Sequence, residues 1–183
     1  MMKFILLITL VFPVLFFCRC TNSEAISDNS QDDAYIVTLH FDLKKRHCGG
    51  TPPPQDYVNG IKIVPLADQQ FFIKKGEENT AGTSTLQAFT TNAKGDATVT
   101  LEEGSYCIII AAKNQPFDSF YEAYSKPKDK FTKAEASSCF ESWYQSCDGQ
   151  ITVDQDGAFT FQIKEYCGYG FNPCMRYTGP PRP

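Results

Sequence analysis

Apolar and polar residues alternate with a period of two along most of the chain. From Ala34 to Phe41, the residues Tyr35, Val37, Leu39 and Phe41 fall on one side while Thr38 and His40 fall on the other, the pattern of a strand with one buried face. It returns at Ile61 and Ile63, at Leu86 and Ala88, and from Ala97 to Leu101, Tyr106 to Ile110, Ile151 to Val153 and Phe159 to Ile163. Phe71 to Lys75 shows it more faintly. Turn-forming residues separate these runs: Asn59-Gly60, Lys75-Gly76, residues 92–95, Glu103-Gly104 and residues 154–157. Seven or eight short strands at that spacing predict a mainly β domain built as an antiparallel sandwich.

One segment changes period. Ala136, Cys139, Phe140, Trp143 and Cys147 recur at i, i+3, i+4, i+7 and i+11, the apolar stripe of a helix. Thr132 and Glu135 precede it at capping-box spacing. The expectation is one α-helix near residues 132–146, inserted between two strands. The stretch from Phe117 to Lys130 carries Phe120, Tyr121 and Tyr124 but also Pro127, and reads as irregular.

The N-terminus has another character. Lys3 precedes an apolar stretch from Phe4 to Phe17, shorter than the roughly 20 residues a membrane span needs, so it reads as an export signal. Cys18 and Cys20 follow, then a polar run from Thr21 to Asp33 without apolar periodicity. A cysteine closing the apolar region ahead of a polar tether resembles bacterial lipoproteins, in which that cysteine becomes the lipidated first residue. Leu15 lies three residues before Cys18, while Ser23-Glu24-Ala25 offers an ordinary cleavage site. The reading is a signal segment over 1–20, with cleavage as late as 25 left open, a tether over 21–33, and a single sandwich domain over 34–183.

Six cysteines remain in that domain: Cys48, Cys107, Cys139, Cys147, Cys167 and Cys174. An even number in an exported domain predicts a disulfide framework. Lipidation at Cys20, or cleavage after Ala25, keeps the count even, whereas lipidation at Cys18 strands Cys20. Eight residues of helix hold Cys139 and Cys147 about 12 Å apart, beyond the roughly 7 Å that a disulfide tolerates. Gly168, Gly170 and Pro173 would let Cys167 turn back to Cys174. Cys107 lies on the strand face opposite Tyr106 and Ile108, which favours Cys107 with Cys139, the helix stapled over an outer sheet face. Cys48 with Cys147 follows by elimination.

The run from Thr91 to Tyr106, with its Asn92-Ala93-Lys94-Gly95 turn, alternating strand to Leu101, and Gly104-Ser105-Tyr106, resembles the hairpin of carboxypeptidase regulatory-like (prealbumin-like) domains. Ala97 and Glu102-Glu103 depart from that pattern. The resemblance implies a prealbumin-like or Ig-like β-sandwich and no activity. Residues 48–54, residues 104–107, the helix with Cys139 and Trp143, and the end from Cys167 through Cys174 to residues 177–181 are together similar to a group of uncharacterised bacterial cell-envelope lipoproteins. That similarity implies no activity, and it implies that the cysteines and the terminal segment belong to the folded unit. The expected location is the bacterial cell envelope, lipid-anchored to the outer membrane, or else secreted or periplasmic.

Charge narrows the partners. The chain carries 17 Lys and Arg against 21 Asp and Glu, a formal net charge of -4. Losing Lys3 and Arg19 with the leader leaves 15 against 21. Nucleic acid and anionic lipid surfaces both need concentrated positive charge, so nucleic acid is not expected, and membrane contact is expected only through an N-terminal lipid. Lys44-Lys45-Arg46 reads as a solvated loop.

The sequence holds no recognisable catalytic residues. His40, His47 and Cys48 include metal-ligating types, but an oxidised Cys48 removes the thiolate, and neither metal nor cofactor is expected. Residues 154–157 contain two aspartates and a glycine but lack the later ligands of a calcium loop, and read as a hairpin turn. No Gly-x-Ser-x-Gly elbow occurs, and Glu77-Glu78 and Glu102-Glu103 are neighbours that face opposite ways in a strand. Tyr166, Tyr169, Phe171 and Tyr177 crowd the end of the chain before Gly179-Pro180-Pro181-Arg182-Pro183. Those rings either contact a peptide, glycan or envelope protein, or pack along the sandwich. The expected function is a non-catalytic exported binding or structural module. A hydrolase with an unrecognised site, or a periplasmic metal-binding protein, is the alternative.

Overall fold

Residues 34–180 are described by the computed structural model; the expected leader and tether, Cys18 and Cys20, and the last three residues lie outside the described residues. Ten strands and two α-helices follow in chain order: β1 (Ala34–Arg46), β2 (Ile61–Pro65), β3 (Gln70–Lys75), β4 (Gln87–Thr90), β5 (Asp96–Glu102), β6 (Gly104–Ile110), α1 (Phe117–Tyr124), β7 (Thr132–Ala134), α2 (Ser137–Gln145), β8 (Gly149–Val153), β9 (Gly157–Lys164) and β10 (Met175–Tyr177).

The first sheet is organised by β1. Along one edge it pairs antiparallel with β5 over its first half and with β2 over its second. Along the other edge it runs parallel to β9, from Val37 opposite Gly157 to Lys44 opposite Lys164, the exception to an otherwise antiparallel fold. The second sheet has the order β4-β3-β6-β8, antiparallel throughout. Alternation points Val37, Leu39, Phe41, Val99 and Leu101 of the first sheet, and Phe71, Ile73, Tyr106, Ile108 and Ile151 of the second, into one buried core. Phe41 and Phe71 stack with ring centroids 4.1 Å apart and join the two layers.

Three connections marked by turn residues cross between sheets, among them residues 154–157, expected as a hairpin turn, and the turn inside the run from Thr91 to Tyr106, where the resemblance implies a hairpin. Residues 92–95 lead from β4 to β5, Glu103 leads from β5 into β6, and residues 154–156 lead from β8 to β9, each time from one sheet to the other. Both strands flanking each turn have an apolar face to bury on the same core, and opposite layers satisfy both. At the last of these turns, Ile36 N donates to Asp156 Oδ1 at 2.7 Å and ties the crossing to β1. Asn59-Gly60 does form a two-residue turn, with φ of 51° and 72° and with Val58 and Ile61 bonded to each other.

Where β1 changes neighbour, Phe41 N donates to Gly95 O at 2.9 Å and Phe41 O accepts from Leu66 N at 2.8 Å. Gly95 has a φ of +80°, and a Cβ added there would meet Phe41 O at 2.4 Å. Gly95→Ala is therefore expected to destabilise the domain by at least about 2 kcal/mol, from left-handed strain and a backbone collision together. Urea unfolding of the oxidised protein checks it, and a loss under about 0.5 kcal/mol would mean that the turn relaxes freely.

The helical region departs from expectation. Thr132 and Glu135 do not cap a helix: the Thr132 hydroxyl donates to Asp129 Oδ1 at 2.9 Å, Glu135 N donates to Cys174 O, and β7 pairs with β10. The helix is shorter, starting at Ser137. A second helix, α1, occupies 117–124. Its Phe117, Phe120, Tyr121 and Tyr124 have helical spacing, and Pro127 lies beyond its end, where it breaks nothing. The two helices meet through their rings, with Phe120 to Trp143 at 4.8 Å and Tyr121 to Phe140 at 5.3 Å.

Polar bonds hold this layer to the second sheet. Lys74 and Cys107 are buried on the side of that sheet opposite Ile73 and Ile108. Lys74 Nζ donates to Asn79 Oδ1 at 2.8 Å, and Asn79 Nδ2 donates to Tyr144 O at the end of α2. Lys113 is fully buried, its Nζ 3.0 Å from Asp148 Oδ1 and from Ser146 O, while Asp148 Oδ2 accepts from Ile110 N at 2.9 Å. Burial lowers the Lys113 pKa and Asp148 opposes that shift.

The two favoured cysteine pairings, Cys167 with Cys174 and Cys107 with Cys139, are corrected, and with them the Cys48 to Cys147 bond reached by elimination. The bonds join Cys48 to Cys167, Cys107 to Cys147, and Cys139 to Cys174. Cys147 lies beyond the end of α2, at the entry to β8, which runs beside Cys107 on β6. Cys139 faces the start of β10, held near by the Glu135 to Cys174 backbone bond. Cys48 and Cys167 follow the parallel partners Lys44 and Lys164 by four and three residues, so the strand pairing itself delivers them to each other.

Candidate functional site

A cleft of about 680 Å³ opens at the end of the β1 and β9 pair, a size within the usual range for small-molecule and oligomer sites. Lys44, Lys45 and Arg46, the last three residues of β1, line it, with Lys164 at the end of β9 and Glu165 just beyond. The Cys48 to Cys167 bond closes this end, with Gly49 and Gly50 beside it. Tyr166 and Gly170 then bridge each other, so the chain doubles back and sets Tyr166 and Tyr169 in the lining. Met175, Arg176 and Tyr177 of β10 complete it.

Sequence reasoning had singled out part of this lining. Tyr166, Tyr169 and Tyr177 come together in the cleft; Tyr169 also packs against the hydrophobic core, as does Phe171, which does not line the cleft. The Tyr169 hydroxyl lies 3.3 Å from Thr132 Oγ1, and the Tyr177 ring lies 6.2 Å from that of Phe131. The cations were missed. Lys44-Lys45-Arg46 is the end of a 13-residue strand and not a loop, and Lys164 reaches the site only because β9 pairs with β1. The available signal was the continued run of strand-compatible residues past Phe41 through Leu43.

The other candidate residues are occupied elsewhere. His40 is held between two carboxylates, its Nδ1 2.6 Å from Asp96 Oδ1 and its Nε2 3.3 Å from Asp42 Oδ1. The Asp96 hydrogen bond, aided by Asp42, raises its pKa despite some desolvation. His47 Nε2 donates to Thr51 O at 2.8 Å, and Cys48 is oxidised, so these three do not form a ligand set. Burial lowers the Lys74 pKa and raises those of Tyr106 and Tyr144. His40, His47, Lys74, Tyr106, Tyr144 and Lys113 stand outside the cleft, whereas Cys48 lines it as half of a disulfide.

No family model matches the chain, and no curated protein matches it. Among solved structures, the shaft pilin SpaA from Lactobacillus rhamnosus GG is similar over 72% of this chain and 50% of the pilin chain, at 13% identity and a TM-score of 0.35. The N-terminal domain of the same pilin is similar over 79% of this chain and 99% of that domain, at 15% identity and a TM-score of 0.29. The chain thus spans about half the length of the pilin, and at these scores no property of the pilin is carried over to it.

Proposed function

We propose that the chain is a non-catalytic module exported to a bacterial cell envelope, where one end of its sandwich serves as a recognition surface. The observation that carries this reading is the partition of its polar groups. Lys74, Lys113, Asp148 and His40 are bonded into the scaffold, while the cleft presents cations and tyrosine rings with one carboxylate in its lining. An acid and base converging on a reacting atom would be the mark of a hydrolase, and the lining of this cleft favours binding instead. The alternatives of a hydrolase and of a metal carrier have no such observation on their side.

Export is supported by the three disulfides, which belong to oxidising compartments, and by the apolar stretch before Cys18. The finer reading is a lipoprotein acylated at Cys18 or Cys20 and held at the outer membrane, of the prealbumin-like envelope type that the sequence resembles. The test is an intact mass of the native protein recovered from the envelope fraction, before and after reduction, with free thiols blocked first. A mass lacking the leader, an added acyl mass, and domain thiols that react only after reduction are expected. Recovery of the full-length chain from the cytosol with freely alkylated thiols would overturn the proposal.

A further inference from the structure

Lys44 and Lys164 are partners in the register of the parallel β1 and β9 pair. In-register residues of adjacent strands project to the same side, with backbones about 4.8 Å apart. Like charges so placed repel each other, and among the described residues neither lysine forms an ion pair. Lys45 and Arg46 line the same cleft and are likewise unpaired among the described residues. Arg176 enters from β10 with its Nε 3.3 Å from Glu135. One cleft therefore gathers five of the chain's 17 Lys and Arg but, of its 21 Asp and Glu, Glu165. In a protein of net charge -4, such local repulsion is offset when an anion fills the cleft.

Tyrosine and backbone pairing narrow the class of anion. Tyr166, Tyr169 and Tyr177 line the cleft, and a tyrosine combines an apolar ring with a hydroxyl, which suits a ligand with one apolar face and many hydroxyls. From Asp42 to Lys44, β1 is already paired with β2 on one edge and β9 on the other. A peptide cannot add to β1 there as a strand, although β9 pairs with β1 alone and β10 with β7 alone. Beyond the backbone, the lining offers cationic side chains and tyrosines.

We infer that this cleft binds an acidic glycan, whose carboxylate, sulfate or phosphate groups meet the Lys44 and Lys164 pair and Arg46 while its sugar rings lie on the tyrosines. The inference rests on the reading of the chain as an exported recognition module. It revises the expectation, drawn from net charge alone, that the protein has no concentrated basic surface.

Calorimetric titration of the mature protein with its three bridges intact tests it, using tetragalacturonate and a sulfated tetrasaccharide as probes. Maltotetraose serves as the neutral probe and tetraglutamate as the acidic peptide. At least one acidic tetrasaccharide should bind, more weakly as salt is raised, and maltotetraose should bind far less. Lys44→Gln with Lys164→Gln should weaken binding at least about ten-fold, and Tyr166→Ala about five-fold. Lys94→Gln, on an exposed turn away from the cleft, should change nothing. Absence of binding by either acidic sugar overturns the inference, as does equal binding of maltotetraose. Tetraglutamate bound as tightly as the sugars, with Tyr166→Ala silent, assigns the cleft to acidic peptides and overturns it too. If the double lysine variant misfolds, the salt dependence of the unaltered protein and the Tyr166→Ala result still decide. Failure to bind in a preparation that is processed and fully oxidised removes this inference alone, whereas an unprocessed chain with free thiols removes its premise.

Discussion

Replacing Asp148 with alanine is expected to lower the unfolding free energy by about 3 to 5 kcal/mol, the usual loss when one partner of a buried ion pair is removed. Three features place the expected effect in that range. The Lys113 side chain is 1% exposed and that of Asp148 12%, so water does little to replace the lost carboxylate. Asp148 Oδ2 also accepts from Ile110 N at the end of β6, and that amide would lose its partner. Burial already disfavours the charged form of Lys113, and without Asp148 only the neutral acceptors of Ser146 remain beside its ammonium. Asp148→Asn, which keeps an acceptor and loses the charge, should fall between the native protein and Asp148→Ala. Lys113→Met combined with Asp148→Ala should recover part of the loss, because it removes the stranded charge. Urea unfolding of the oxidised variants reads all three, and a loss under about 1 kcal/mol for Asp148→Ala would mean that the pair behaves as if solvated.

Removing the Cys48 to Cys167 bond by a double serine substitution should cost about 4 to 5 kcal/mol on the chain-entropy account, in which longer loops gain more. Its cysteines are 119 residues apart, against 40 for Cys107 to Cys147 and 35 for Cys139 to Cys174. It should therefore be the most costly of the three to lose, even though Cys48 is exposed. The same substitution should free the ends of β1 and β9, so that amides near Lys44 and Lys164 exchange faster while those of β3 and β6 keep their protection. Equal losses for all three double variants would argue against the loop-length account, and unchanged exchange near Lys44 would show that strand pairing alone holds the cleft.

The strands were legible because each buries one face. Val37, Leu39 and Phe41, or Tyr106 and Ile108, reveal their alternation within a few residues of sequence. What lay hidden depends on contacts between distant segments. The parallel pairing of β1 with β9 has no local mark, and with it went the Cys48 to Cys167 bond and the meeting of Lys44 with Lys164. α1 was obscured by Pro127, three residues past its end, although its aromatics have helical spacing. Thr132 and Glu135 carried a valid local signal for a cap that β7 and β10 overrode by pairing. Of the cleft, Tyr166, Tyr169 and Tyr177 stood out by their density, whereas Lys44, Lys45 and Arg46 looked like any exposed charge run until the strand beneath them was seen. Lys113 and Asp148 carried no sequence signal, since 35 residues separate them and neither belongs to a motif.

The direction of β1 keeps the two ends of the sandwich apart. This strand starts at Ala34 and reaches the basic end of the sandwich at Arg46, a run of roughly 40 Å at about 3.3 Å per residue. Ala34 therefore lies most of a strand's length from the Lys44 and Lys164 pair, so changes at the entry to β1 are kept apart from the tyrosine-lined mouth by the most heavily paired strand of the fold.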